Sequence, residues 1–250
     1  MPRSGGPVTL SRRGHLAELV VDLRATRGRF TPESAIAFSQ ACAGCDDDAV
    51  WVVWLRSLGT DFCRGIEGSF ARWPRIAGAD FVAALASVRQ PVIVSVRGRA
   101  ESEGFELVLA ADLRVVEPRT RFVMSQLARG TLPTFGGTQR LPRLVGIERA
   151  LRTLLFGEAI AGRRAVEWGL AARVARSADP AARRLAGELL ERGPIALRFA
   201  KEAVRRSLDL ALDDGARFEH DLYVLLETTR DRAEGVRSFL EKRKPIFRGD

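Results

Sequence analysis

Two hydrophobic rhythms share this chain. Residues 17–23 (AELVVDL) and 50–55 (VWVVWL) are short runs rich in branched and aromatic side chains, bounded by polar or glycine positions, and they read as strands. Between them, Thr31-Pro32-Glu33-Ser34 combines an N-cap, a proline at the first helical position and an acidic first turn. Apolar residues then recur at helical spacing to about Ala41. The alternation continues with a helix over 80–88, a strand over 92–96, a helix from about Gly104 to Ala111, and strands near 113–116 and 121–123. From Glu148 the pattern is mostly helical, broken at Gly157, Gly169 and Gly193-Pro194. This is an α/β pattern, and a composition shift near residue 190 separates a core over 1–190 from a helical C-terminal region over 191–250. No G-x-G-x-x-G opens a helix after the first strand, which argues against a nicotinamide enzyme.

Composition adds limits. With 250 residues, 46% hydrophobic and 28% charged, the chain is long enough and apolar enough for a substantial core. No run approaches 18 apolar residues, and residues 1–6 lack the apolar core of a secretory signal, so the expected setting is the cytoplasm, away from membranes. The net charge of +9 comes from scattered arginines, the only lysines being Lys201, Lys242 and Lys244. Without a nucleic-acid motif beside it, that charge does not predict a nucleic-acid partner. Cys42-Ala43-Gly44-Cys45 has the spacing of a redox or zinc half-site, but no second pair completes it, so no metal is expected and small core residues are the better reading. His15 and His220 are too isolated for a catalytic triad.

Three glycine-bearing loops are the chemical candidates. Asp61-Phe62-Cys63-Arg64-Gly65-Ile66-Glu67 follows the second strand run, and the stretch from Arg97 through Gly98, Ser102, Glu103 and Gly104 to Leu107 follows the strand over 92–96. A strand entering a helix presents unpaired backbone N–H groups, and two such turns can supply two donors to a developing oxyanion. The third loop runs from Gly130-Thr131-Leu132-Pro133 through Gly136-Gly137-Thr138-Gln139-Arg140 to Gly146.

Together these motifs resemble the crotonase (enoyl-CoA hydratase/isomerase) superfamily. The order F-C-x-G, then G-x-E-L, then P-x-x-G-G-T-Q-R-L-P-R-L-V-G is matched here, and the likeness continues through Ala165-Val166-Glu167-Trp168-Gly169-Leu170 and the segment from Glu234 to Pro245. The resemblance implies a ββα spiral core, a helical C-terminal trimerisation region and a pocket for coenzyme A thioesters. It implies no cofactor beyond the coenzyme A of the substrate, and a homo-trimer or hexamer, with a hetero-complex with another crotonase left open. It puts the two oxyanion donors on the N–H groups of Ile66 and Glu103, with Cys63, Gly65 and Gly104 around the substrate. Phe239 and Lys242 match positions that reach the adenine and phosphate end of coenzyme A; a packed aromatic and a solvated lysine are the alternative.

The pattern is broken at the catalytic pair. Hydration in this family uses two glutamates, and the first falls on Glu106, an acid within an otherwise apolar helical stretch. The second falls on Gln126, whose amide orients groups but exchanges no proton. Ser102-Glu103-Gly104 replaces a glycine run, so Glu103 brings bulk and negative charge to a site meant to stabilise negative charge. Glu101 and Glu103 are either solvent-facing loop residues or, with Glu106, a rearranged acid/base set. The leading expectation is an enzyme that holds a coenzyme A or carrier-protein thioester enolate, with Glu106 as its one acid/base. Hydration, dehydration and isomerisation stay open, as does an accessory or binding subunit that has lost catalysis.

Overall fold

The computed structural model describes residues 6–68, 73 and 78–250; residues 1–5, included in the signal-sequence reading, lie outside that set. Its strands in chain order are β1 (Val8–Arg13), β2 (Leu16–Asp22), β3 (Val52–Leu58), β4 (Val92–Val96), β5 (Arg99–Glu101), β6 (Leu113–Val116), β7 (Arg121–Val123), β8 (Ile160–Ala161) and β9 (Arg173–Val174). The helices are α1 (Pro32–Ala43), α2 (Phe81–Ser87), α3 (Glu103–Ala110), α4 (Gly137–Val145), α5 (Ile147–Leu155), α6 (Gly162–Glu167), α7 (Ala178–Leu190), α8 (Pro194–Arg206), α9 (Leu212–Glu227) and α10 (Arg230–Leu240).

One sheet has the order β1-β2-β3-β4-β6-β9, antiparallel only at β1 against β2, and a smaller sheet has the order β5-β7-β8. The central parallel strands are buried on both faces, which is why they read as continuous apolar runs rather than as alternation. Val53 and Leu55 of β3 join the main core with Phe38 of α1, Leu85 of α2 and Leu107 of α3. Val52 and Trp54 point the other way, onto the small residues Ala178, Ala181, Ala182 and Ala186 of α7. The buried Trp54 indole donates to Ser95 Oγ at 3.0 Å, and that hydroxyl donates to Asp179 Oδ1 of α7 at 2.6 Å, which ties α7 to the sheet.

Several elements sharpen the sequence reading. Helix α1 starts at the anticipated cap, with Ser34 N donating to Thr31 Oγ1 at 3.2 Å and Thr31 N to Ser34 Oγ at 2.8 Å. β3 runs on to Leu58 because Arg56 Nε, which looks like a strand breaker, donates to Glu18 Oε1 on β2 at 2.6 Å. β1 is an edge strand with an exposed polar half, and that weak pattern hid it. β5 lies inside what reads as loop; its three residues are ordered by pairing with β7.

Beyond α7, helices α8, α9 and α10 and the stretch after them leave much apolar surface in the open, including Val204, Leu212, Tyr223, Leu225, Phe239 and Ile246. α8 is tied to the core through Lys201 Nζ, which donates to Val88 O at 2.8 Å and Gln90 O at 2.7 Å. Arg205 Nη2 donates to Ala110 O at 3.1 Å, and Arg114 Nη1 to Ala111 O at 2.7 Å. Both cations cap the C-terminal end of α3, the helix that carries the candidate site, where they oppose its negative dipole end.

Candidate active site

The first two chemical loops are sewn together. Glu101 N donates to Cys63 O at 2.8 Å, Cys63 N donates to Arg99 O at 3.1 Å, and Cys63 bridges Ala100 in parallel fashion. A Cβ on Gly104 would stand 2.4 Å from Cys63 O, so glycine lets the start of α3 close on the first loop. Burial pushes the Cys63 thiol up to about 12, and its sulfur accepts Gly65 N–H at 3.4 Å. Cys63 and Gly104 are thus fasteners between the two turns.

The turn into α3 is strained. Ser102 has φ 53° and ψ −120°, a region that favours glycine. It is held there by Ser102 N donating to Val123 O at 2.8 Å, by a 2.8 Å contact with Ser125 Oγ, and by Arg129 Nη2 donating to Ser102 Oγ at 3.2 Å. The strained step aims the next residue, Glu103, toward the first loop. Its N–H has no acceptor among the described residues.

The Ile66 N–H already has an acceptor in this structure. It donates to Glu103 Oε2 at 3.2 Å, and the Glu103 side chain is 6% exposed as a residue. A carboxylate oxygen thus sits on the amide that the sequence reading offers to a thioester oxygen. Gly65 makes room for it: its φ is 102°, and a Cβ there would stand 2.4 Å from Glu103 Oε2. Of the two readings left open for Glu103, solvent-facing loop residue is excluded by its burial.

Glu106, one helical turn further on, is fully buried in a different setting. Its Oε1 accepts Phe135 N–H and Gly137 N–H, each at 2.8 Å, and its Oε2 accepts Gln126 Nε2 at 3.2 Å. Gly137 opens α4, so the carboxylate rests at a helix N-terminus. Burial raises its pKa to about 7, while the amides of Gly137 and Phe135 pull it down and the nearby Glu103 charge pushes it up. A carboxyl group that titrates near neutrality is suited to take and return a proton. Gln126 is 1% exposed, and its Oε1 has no partner among the described residues.

A cavity of about 1000 Å³ opens beside these turns, lined by Ala25 to Arg27, Arg29, Ile66 to Gly68, Glu103, Arg129, Thr131, Leu132 and Thr134. Its wall stops at Glu103 and Ile66; Glu106 and Gln126 are not part of it. Cys63, Gly65 and Gly104 are also off the wall. Phe239 is 82% exposed and Lys242 is exposed, both outside this cavity. The sequence reading missed the 25–29 segment and Arg129, and it missed the two backbone amides that grip Glu106. Arg129 carried one signal, as the sole charge in the uncharged run from Leu127 to Thr134. Among the described residues no group of three or more His, Cys, Asp or Glu is arranged to hold a metal, and no helix is long and apolar enough to cross a membrane.

Residues 28–250 match the family described as Enoyl-CoA hydratase/isomerase. The chain is 39% identical over 169 residues to 2,3-dehydroadipyl-CoA hydratase of Escherichia coli, covering 67% of this chain and 66% of that protein, just under two thirds of its length. It is 30% identical over 254 residues to (E)-benzylidenesuccinyl-CoA hydratase of Thauera aromatica, covering 97% of this chain and 99% of that one. The solved structure of an enoyl-CoA hydratase from Bacillus anthracis superimposes with a TM-score of 0.93 at 26% identity, over 98% of this chain and 100% of that one. An enoyl-CoA hydratase from Polaromonas sp. gives 0.90 at 28% identity, over 97% and 100%.

Proposed function

This chain belongs to the crotonase, or enoyl-CoA hydratase/isomerase, superfamily, and from that premise we propose that it acts on an acyl-CoA thioester with Glu106 as its one proton carrier. The thioester oxygen takes the place now held by Glu103 Oε2 on the Ile66 amide, with the Glu103 N–H as second donor. Removal of the α-proton by the Glu106 carboxylate sends the electron pair onto that oxygen and makes an enolate. In dehydration of a 3-hydroxyacyl thioester, the enolate collapses, the β-hydroxyl leaves, and the proton on Glu106 goes with it to form water. Hydration is the reverse. In isomerisation the same proton returns at the γ-carbon.

Gln126 is the reason a single carboxylate serves both transfers. Its amide donates to the ionised Glu106 and, after rotation, presents Oε1 to the protonated acid, so it follows either state without taking a proton. The observation that carries this reading is the buried Glu106 carboxylate, titrating near 7 and gripped by two backbone amides. The exposed apolar surface of α8 to α10 supports self-assembly through that layer, which would also bring Phe239 and Lys242 toward a neighbouring copy.

The Glu103 carboxylate on Ile66 N–H favours a second reading, a binding or accessory subunit that has lost turnover. Incubation with a panel of 3-hydroxyacyl- and enoyl-CoA thioesters, followed by mass spectrometry and by chromatography of double-bond isomers, separates the two. Loss or gain of water, or a shifted double bond, supports the enzyme. Thermal stabilisation by thioesters with no product in any case supports the binding subunit.

A further inference from the structure

We propose that Glu101 and Ser125 are positioning residues: by holding Ser102 in its positive-φ conformation they fix the direction of the Glu103 N–H. The inference rests on the reading of that N–H as a donor to the thioester oxygen. It gives a task to Glu101, which the sequence leaves between a solvent-facing loop residue and a member of an acid/base set. Neither of those roles fits. The Glu101 side chain is 18% exposed, and the residue is not on the wall of the cavity that Glu103 and Ile66 line. Its Oε1 accepts Ser125 Oγ at 3.1 Å, and its Oε2 stands 3.8 Å from Arg64 Nε, on the loop that carries Ile66.

The hydrogen bonds that end on Glu101 run in one direction. A hydroxyl has one proton to give, and a carboxylate accepts. Ser125 gives its proton to Glu101 Oε1, so at the 2.8 Å contact between the two hydroxyls Ser102 Oγ is the donor. Arg129 Nη2 in turn donates to Ser102 Oγ at 3.2 Å. The order is Arg129, Ser102, Ser125, Glu101, from a cation to a carboxylate, and bonds aligned in this way polarise and strengthen one another. The two ends are unequal. Arg129 is exposed, whereas Ser102 is fully buried and Glu101 largely covered, so the carboxylate is the firmer anchor.

Ser102 needs such an anchor. At φ 53° and ψ −120° it occupies a region that glycine enters freely and an L side chain resists. The bond from Ser102 N to Val123 O at 2.8 Å fixes the residue on its N-terminal side. The Glu103 N–H belongs to the next peptide, whose plane is set by the Ser102 ψ angle. Tying the Ser102 side chain across to Ser125 opposes the rotation that would relieve the strain and swing this peptide. Ser125 also precedes Gln126, whose amide donates to Glu106 Oε2 at 3.2 Å, so the same short segment reaches both the donor turn and the acid.

Deuterium uptake from solvent at the α-carbon of butyryl-CoA, read by mass spectrometry, reports the enolate without the true substrate, and calorimetric titration of the same thioester gives its affinity. Ser125→Ala is expected to slow the uptake roughly 10- to 100-fold, the scale of a misaimed donor, while affinity changes by less than about threefold. Glu101→Ala should do the same and carries the comparison independently, whereas Glu101→Gln, whose amide oxygen still accepts from Ser125, keeps most of the rate. The deciding protein combines Ser125→Ala with Ser102→Gly. Glycine takes the conformation unaided, so uptake returns to that of Ser102→Gly alone. An undiminished rate in both Ser125→Ala and Glu101→Ala overturns the proposal. So does a loss that Ser102→Gly does not restore, which assigns Ser125 to its neighbour Gln126 and through it to Glu106. Both outcomes leave the enolate reading standing. Absence of uptake by wild type with butyryl-CoA bound overturns that reading, and the proposal with it.

Discussion

Two carboxylates stand one turn apart on α3, and their surroundings differ. Around Glu106, donors come from the backbone of Phe135 and Gly137 and from Gln126, all fixed by α4 and by the turn that precedes it. Around Glu103, the donor among the described residues is the Ile66 amide, and the residue lines an open cavity. The first compartment holds its carboxylate without a ligand, although Gln126 Oε1 stays unmatched among the described residues. In the second, a side chain holds the amide that the proposed function assigns to a ligand oxygen. A buried amide left without an acceptor is costly, so Glu103 supplies from within the acceptor that, in the proposed function, substrate supplies.

The largest expected effect tests the first compartment. Glu106→Gln retains an amide oxygen for Phe135 and Gly137 and removes the titrating proton, so turnover should fall by roughly 10²- to 10⁴-fold while thioester affinity holds. Steady-state kinetics with calorimetry on one substrate checks this; unchanged kcat would take Glu106 out of the reaction.

The next effect concerns pH. The Glu106 value of about 7 lies above the ordinary 4.5, so between those values the native state holds a proton that the unfolded chain has released. Its contribution to stability is full below about 4.5, declines as pH rises, and is lost above about 7. Relative to wild type, Glu106→Gln should therefore gain about 3 kcal/mol in unfolding free energy between pH 4.5 and 8, read from denaturant titrations. The rate of α-proton exchange, followed by deuterium uptake from solvent, should rise with pH and level off above about 7. A flat profile on both counts would mean that Glu106 does not titrate in this range.

The smallest effect tests the strained turn. Alanine normally outranks glycine by about 0.5–1 kcal/mol because glycine loses more backbone freedom. At Ser102 the order should invert, with Ser102→Gly melting above Ser102→Ala, since φ there is 53°. The usual order would show that the turn relaxes freely.

Legibility in the sequence followed the same division. The strand, helix, strand order, the Thr31 cap and the buried acid at Glu106 were readable because periodicity, cap chemistry and an acid in an apolar run are local signals. β1 and β5 were hidden because an edge strand with polar positions and a three-residue strand owe their order to partners elsewhere in the chain. That Glu103 is an obstacle was foreseeable from its charge; that its carboxylate turns inward onto Ile66 was not, because the direction depends on the positive φ of Ser102 and the missing side chain of Gly65 acting together. Arg129 went unnoticed because its place on the cavity wall depends on the fold of the 126–135 segment.

The central claim is that the Glu103 carboxylate holds the place of the thioester oxygen. Titration of butyryl-CoA into wild type and Glu103→Gly tests it most directly, because glycine frees Ile66 N–H and leaves the second amide in place. The account predicts binding at least about 10-fold tighter in Glu103→Gly, the scale of one freed donor in a buried site. Equal or weaker binding in that variant would contradict it and show that Glu103 assists the ligand rather than standing in for it.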